Sequence, residues 1–418
     1  MVVLCFINKF MSILNEKCFP VLFTWDWDDY STGSSKCYME IHDSALIFYT
    51  EQWEDKDYYY ISFLHKDAFR EFDLTKIMGC DSYNRLKAND LTLILQNNHE
   101  SYHSVVDGIY QYIILKHGIN PKNIILISQS RDIDREIEVI SKKYYKEKIQ
   151  GNWLRIFEHD ASILAKKEEI NIPPTLQEKE YARKFLSFNG MWRPHRSSLI
   201  AGLICEDILD EGFVSYNTVP EISVDGQENF DFLLDYHKHN KDFLQKLVYN
   251  AKSIKETNKL FLDTANNQKQ NIDLAKISNS PLEYYIMTYL SVVTETNYSK
   301  KTSDFHDSFA GQTGPGRLLS EKTFKPITLK HPFIIAGVPG TLQLLREIGY
   351  KTFHPVINES YDLETDNSKR IEMIIHEIKR LCYMSPEELK YYLHACREIC
   401  EYNFNVLKSK TSFMDKLC

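Results

Sequence analysis

The segment Ser320-Glu321-Lys322-Thr323-Phe324-Lys325-Pro326 sets a helix-capping hydroxyl, a carboxylate and two ammonium groups directly ahead of an apolar run, Pro332-Phe333-Ile334-Ile335-Ala336-Gly337. Ser320 suits a helix N-cap, and Glu321 in the first turn is favoured by the helix dipole. A carboxylate there can accept two hydroxyl protons at once, while Lys322 or Lys325 can balance a departing anion. The plainer alternative is a local ion pair, because Glu321 and Lys325 are spaced i,i+4. Pro326 sits oddly in a purely structural helix, since it removes a backbone donor and kinks the chain.

A second group lies in Gly190-Met-Trp-Arg-Pro-His-Arg196. Arg193, His195 and Arg196 follow an apolar strand and open a helix, a placement that suits a pyrophosphate. An exposed basic loop is the alternative. His99-Glu100-Ser101-Tyr102-His103 is a literal H-E-x-x-H, which on a helix aligns two imidazoles for zinc with a glutamate as general base. Asn97 and Asn98 precede it, so it falls at a helix start, and no third ligand follows at a set spacing. The same residues fit a loop at a strand's carboxyl end, where Glu100, His99 or His103 would touch a hydroxyl acceptor or serve as its general base. Asp26, Asp28 and Asp29, in Thr24-Trp-Asp-Trp-Asp-Asp29, rival them. Asp26-x-Asp28 and Asp132-x-Asp134 match the D-x-D of metal-dependent transferases, a pattern too common to weigh much. His237-x-His239 lies in a polar stretch and reads as solvated.

These groups need elements to hold them. Met39–Tyr49, Tyr58–Leu64, Leu91–Leu95 and Asn123–Ser128 read as strands, with helices over Ser101–Lys116 and about Asp132–Lys146. Strand and helix alternating at this spacing indicate a parallel α/β layer. Residues 167–180, charged and carrying Pro173-Pro174, form a linker candidate. A second series begins at Lys184–Asn189 and continues through a helix over Ser197–Leu209. After a less regular stretch at 218–280, with a helical patch near 240–265, it resumes with strands at Tyr284–Thr294 and Phe333–Ala336. A helix over Thr341–Ile348, a short strand at Lys351–Phe353 and a long helix over about Pro386–Leu407 complete it.

The 418 residues are enough for two domains, and 43% hydrophobic with 26% charged residues is a globular composition. The 50 Lys+Arg against 58 Asp+Glu leave a net charge of -8, which argues against broad electrostatic binding to nucleic acid. Nine cysteines, an odd number without a CxxC pair, fit a reducing compartment. Cys396 and Cys400 read as two buried thiols on a helix. The apolar N-terminus, Met1-Val-Val-Leu-Cys-Phe-Ile-Asn-Lys9, lacks a preceding basic segment and is too short to span a bilayer. The chain reads as cytoplasmic, with no membrane span.

Four segments in order, Phe185-Leu-Ser-Phe-Asn-Gly-x-x-Arg-Pro-His-Arg196, Val293-Thr-Glu-Thr296, Ser320–Pro326 and Asn358-Glu-Ser-Tyr-Asp362, resemble the donor domain of GT-B-fold glycosyltransferases, of the fucosyltransferase-like and exostosin-like kinds found in large DNA viruses and phages. The likeness spans roughly residues 184–365. It implies two Rossmann-like domains facing a cleft: 1–170 on the acceptor side, 180–385 binding a nucleotide sugar, and a last helix at 386–418 packing back towards the first. It implies Asn189, Arg193, His195, Arg196, Glu295, Ser320, Glu321, Lys322 and Lys325 at the donor, with Glu321 holding ribose or sugar hydroxyls. No metal or other cofactor is expected beyond the nucleotide-diphosphate sugar, and the partners are that donor and a glycan acceptor. If the likeness to viral enzymes holds, the location is host cytoplasm or virion. A zinc hydrolase built on His99-Glu100-x-x-His103, or a non-catalytic glycan- or nucleotide-binding relative, is the competing expectation.

Overall fold

The computed structural model describes residues 47–52, 58–63, 73–97, 104–166, 176–189, 193–217, 232–257, 259–260, 282–299 and 316–410. Asp26, His99, Glu100 and His103 lie outside them. The chain forms two compact units. One holds the described residues up to Ile156 and those of Ser299–Leu318; the other holds those of Phe157–Tyr298 and from Leu319 onward.

The first unit runs β1 (Ile47–Gln52), β2 (Tyr58–Phe63), α1 (Leu74–Met78), α2 (Cys80–Lys87), β3 (Thr92–Asn97), α3 (Ser104–Gly108, continuing as a π-helical stretch Ile109–Leu115), β4 (Ile124–Ser128), α4 (Ile133–Lys143) and β5 (Gln150–Trp153). Its strands lie in chain order, β1 antiparallel to β2 and the rest parallel. The helices described in this unit pack on one face of the sheet, as crossovers that always step the same way require. The core shows this: Tyr59, Ile61, Leu93, Leu95, Ile124 and Leu126 alternate onto one side of the sheet and pack with Leu86, Ile109, Tyr110, Ile113 and Ile137. Leu93 pairs with Ile124 and Leu95 with Leu126, so the apolar rows stay in register. β5 escapes the periodicity argument because Gln-Gly-Asn-Trp carries no apolar alternation; Gly151 lets Ile133 and Ile137 of α4 lie close against it.

The second unit contains α5 (Ile156–Lys166), β6 (Phe185–Asn189), α6 (Pro194–Cys205), β7 (Gly212–Asn217), α7 (Phe232–Tyr236), α8 (Lys241–Tyr249), α9 (Ala251–Glu256), β8 (Lys259–Leu260), α10 (Leu282–Ile286), β9 (Leu290–Thr294), α11 (Glu321–Thr328), β10 (Phe333–Ala336), α12 (Thr341–Glu347), α13 (Asn367–Cys382) and α14 (Pro386–Ser409). Its sheet order is β10-β9-β6-β7-β8, parallel except for the β8 edge. The chain moves outward from β6 to β7 and β8, then returns to β9 on the other side of β6. That reversal is the topological switch point at which open α/β sheets bind ligands.

Two expected strands take other forms. Tyr284–Thr294 divides into α10 and β9, because Tyr284 and Tyr285 pack with Phe188 and Phe213, and Thr288 bonds back to the Tyr284 carbonyl at 2.7 Å. Lys351–Phe353 is not a strand. Asn403 bonds both the N–H and the C=O of Lys351 at 2.8 Å, and Glu359 accepts from the Phe353 N–H at 2.6 Å. Side chains thus fill the groups that a sheet neighbour would have taken. α14 starts on a reciprocal capping box between Ser385 and Glu388. It packs within its unit: Tyr392 donates to the Tyr289 carbonyl at 3.2 Å, and the Lys410 carbonyl accepts from Ser162 of α5 at 3.0 Å. Cys396 and Cys400 are buried free thiols.

Candidate functional site

At the switch point the strand ends are cross-linked by side chains. Asn189 closes β6; its amide oxygen accepts from the Thr294 hydroxyl at 2.9 Å and its amide nitrogen donates to Ser187 at 3.0 Å. Asn189 therefore ties β6 to β9. Glu295 follows β9, with its N–H donating to the Ala336 carbonyl of β10 at 3.0 Å. Its carboxylate accepts from the Ser320 N–H at 3.0 Å, the Ser320 hydroxyl at 2.5 Å and the Thr323 hydroxyl at 2.6 Å. Burial pushes the Glu295 carboxyl above the usual range, against the pull of Lys322 and these hydroxyls. Both oxygens are committed, so Glu295 holds the mouth of α11 in place.

Ser320 is the cap expected of it, accepting from the Lys322 N–H at 3.2 Å. Glu321, next to it, pairs with Lys322 at 2.6 Å, so it does make a local ion pair, the plainer reading of this segment, with its immediate neighbour. Burial alone would raise the Glu321 acid, but Lys322 and then Lys325 outweigh it and hold the carboxyl below its ordinary value. Lys325 itself is buried.

Arg193 is the N-cap of α6 and Pro194 its first residue, which needs no N–H there. His195 and Arg196 are buried and point back onto β9. His195 Nε2 lies 2.8 Å from the Glu295 carbonyl, and Arg196 donates to the Thr294 carbonyl at 3.1 Å. Burial, reinforced by Arg196, holds the His195 pKa well below its usual value. The imidazole is therefore a neutral Nε2–H donor, and it adds no positive charge for a pyrophosphate.

Sequence reasoning missed the layer behind these residues. The ring of Tyr298 stacks on His195, centroids 4.8 Å apart and planes 8° apart, and the Arg370 guanidinium lies 4.0 Å from its centroid. Arg370, fully buried on α13, donates to the carbonyls of Tyr298 at 2.5 Å and Glu364 at 2.8 Å. A signal was there: Arg370 shares a helical stripe with Ile374 and Ile378, a guanidinium where an apolar residue belongs.

No family model, curated protein or solved structure matches this chain.

His237 is buried, correcting its reading as solvated: it bridges the Ser198 hydroxyl at 2.8 Å and the Ser368 hydroxyl at 2.6 Å, joining α6 to α13, while His239 is exposed. Asp362 caps α12 through the N–H groups of Leu342 at 2.9 Å and Gln343 at 3.1 Å, and Glu359 binds Thr352 and Phe353. Asp132 grips Arg317, and Asp134 faces Gly151, so that D-x-D does not converge. Among the described residues no three His, Cys, Asp or Glu side chains are placed to hold a metal ion, and no helix is long and apolar enough to cross a membrane.

Proposed function

We propose that the protein is a glycosyltransferase of the GT-B kind, moving a sugar from a nucleotide-diphosphate sugar to a hydroxyl acceptor. The observation that carries the reading is the switch point of the second unit, where Glu295 fixes the N-terminus of α11. That anchor presents an ionised Glu321 among Lys322 and Lys325, while the N-terminus of α6 brings Arg193 and Arg196 to the same sheet edge. A helix mouth with cationic side chains suits a diphosphate, and a carboxylate held ionised suits the hydroxyls of a ribose or sugar.

In the proposed step the bond between the anomeric carbon and the diphosphate oxygen breaks, and the acceptor oxygen bonds to that carbon. The acceptor proton passes to a base, and the nucleoside diphosphate leaves with the electron pair. Arg193, Arg196, Lys322 and Lys325 balance the charge that builds on the leaving group, which is the largest electrostatic demand of the step. Those cations supply the neutralisation without calling on a metal. Glu321 fixes the donor. His195 and Asn189 hold the strand ends, and the base is sought among Glu100, His103 and Asp26.

The test is calorimetric titration of the full chain with UDP, GDP and CMP, followed by a transfer assay with the matching sugar nucleotides. One nucleotide should bind, and Glu321→Ala should remove binding and transfer while leaving the melting temperature unchanged. Full transfer by that variant would exclude the donor assignment. Loss of activity with EDTA would point to the metal-dependent alternatives.

A further inference from the structure

A separate cluster sits at the carboxyl edge of the first unit's sheet, beyond β4. Ser130 and Glu136 are buried there, and the Ser130 hydroxyl donates to Glu136 Oε1 at 2.8 Å. The backbone of Gly316 lies directly on that bond: a Cβ at residue 316 would stand 2.0 Å from Ser130 Oγ and 2.8 Å from Glu136 Oε1. Arg317 is then clasped by the turn that opens α4. The Arg131 N–H donates to the Arg317 carbonyl at 3.0 Å, and the Arg317 N–H donates to Asp132 Oδ2 at 2.9 Å. The guanidinium closes on the same carboxylate, 3.0 Å to Oδ1 and 3.3 Å to Oδ2. A segment distant in sequence is thus bound by backbone, side chain and the absence of a side chain together.

We propose that Gly316-Arg317 is a proton-controlled latch, clasped by Asp132 and closed over Glu136 while the Glu136 carboxyl is protonated. The charge inventory supports this. Asp132 is the charged neighbour that acts on Glu136, and it opposes ionisation. Arg317, the cation of the segment, is committed to Asp132. Arg131 lies over the Trp153 ring of β5, 5.0 Å from its centroid, with Arg155 5.6 Å from the same ring. Asp134 faces Gly151 of β5, and Asp107 of α3 is taken by Lys143 at the far end of α4. An ionised Glu136 under the closed latch would be a buried anion beside another anion.

Burial, and then Asp132, raise the Glu136 carboxyl to about 7 with the latch closed. The closed state therefore holds its proton more tightly than an open, hydrated one. Closing is fully favoured below the ordinary carboxyl value of about 4.5 and weakens as pH rises to about 7, by up to about tenfold per pH unit. Above that it stays at its weakest.

Amide hydrogen exchange of the full chain, corrected for the intrinsic rate, tests it at Arg131 and Arg317 from pH 5 to pH 8. Protection should fall at least about tenfold across that range, while the core amides of Leu95 and Leu126 keep theirs. Glu136→Gln should remove the pH dependence and leave the latch closed. Asp132→Asn and Gly316→Ala should lower protection at every pH. Unchanged protection from pH 5 to pH 8, or the same pH profile in Glu136→Gln, would overturn the proposal.

Discussion

Glu295 and Ser320 meet twice across a gap in sequence: the carboxylate that ends β9 accepts both the N–H and the hydroxyl of the residue that caps α11. A strand end thereby dictates where a helix begins, and Glu321 follows that cap directly. This contact explains how a charged helix mouth is held at a sheet edge without a continuous run of backbone bonds.

Removing it should cost stability before it costs chemistry. Glu295→Ala leaves the Ser320 N–H and the Ser320 and Thr323 hydroxyls buried without their acceptor. A loss of about 2–4 kcal/mol follows from orphaning such groups, read as a drop of several degrees in the melting temperature. Glu295→Gln, which keeps an acceptor oxygen, should fall between. A wild-type melting curve for the alanine variant would mean the contact does not anchor α11.

Lys325→Met keeps most of the buried stem and deletes the charge. If Lys325 helps to balance a diphosphate, the dissociation constant of the preferred nucleoside diphosphate should rise about tenfold, equivalent to about 1.4 kcal/mol. Its salt dependence should weaken in parallel. Unaltered affinity would remove Lys325 from the donor site.

Three imidazoles should stay neutral through the physiological range. Burial holds His237 down to about 3 and His331 down to about 4, and His195 well below its usual value. Their resonances in a heteronuclear NMR titration should not move between pH 8 and pH 5.5. The sign for stability follows: the unfolded chain binds protons that the folded chain refuses. Stability is complete above the unfolded value of about 6.5 and falls as pH drops below it, by up to about 1.4 kcal/mol per pH unit for each imidazole. A melting temperature constant from pH 7 to pH 5 would contradict this.

Gly212→Val probes packing across the second sheet. A Cβ at residue 212 would stand 2.3 Å from the ring of Phe185, its register partner, and that ring is fully buried. Overpacking there should cost about 1–3 kcal/mol by chemical denaturation. Gly202→Val, facing Ile375 between α6 and α13, should behave alike.

The sequence alone was enough for the α/β character, because periodicity writes itself into apolar runs such as Leu93–Leu95, Ile124–Leu126 and Ile334–Ala336. The cap Ser320 was equally legible, since helix ends are satisfied by residues close in sequence. Strand order was not. That β9 lies beside β6, and that Glu295 therefore reaches Ser320, is decided by the crossover and not by any local preference. The same holds for charge. His195 and His237 look like solvent-facing polar residues in a linear chain, yet burial makes both neutral, and Arg370 becomes a cation within a packed helix. Local sequence encodes which backbone groups a segment satisfies for itself. Which side chains lose their water, and which distant partners replace it, is settled only when the sheet brings them together.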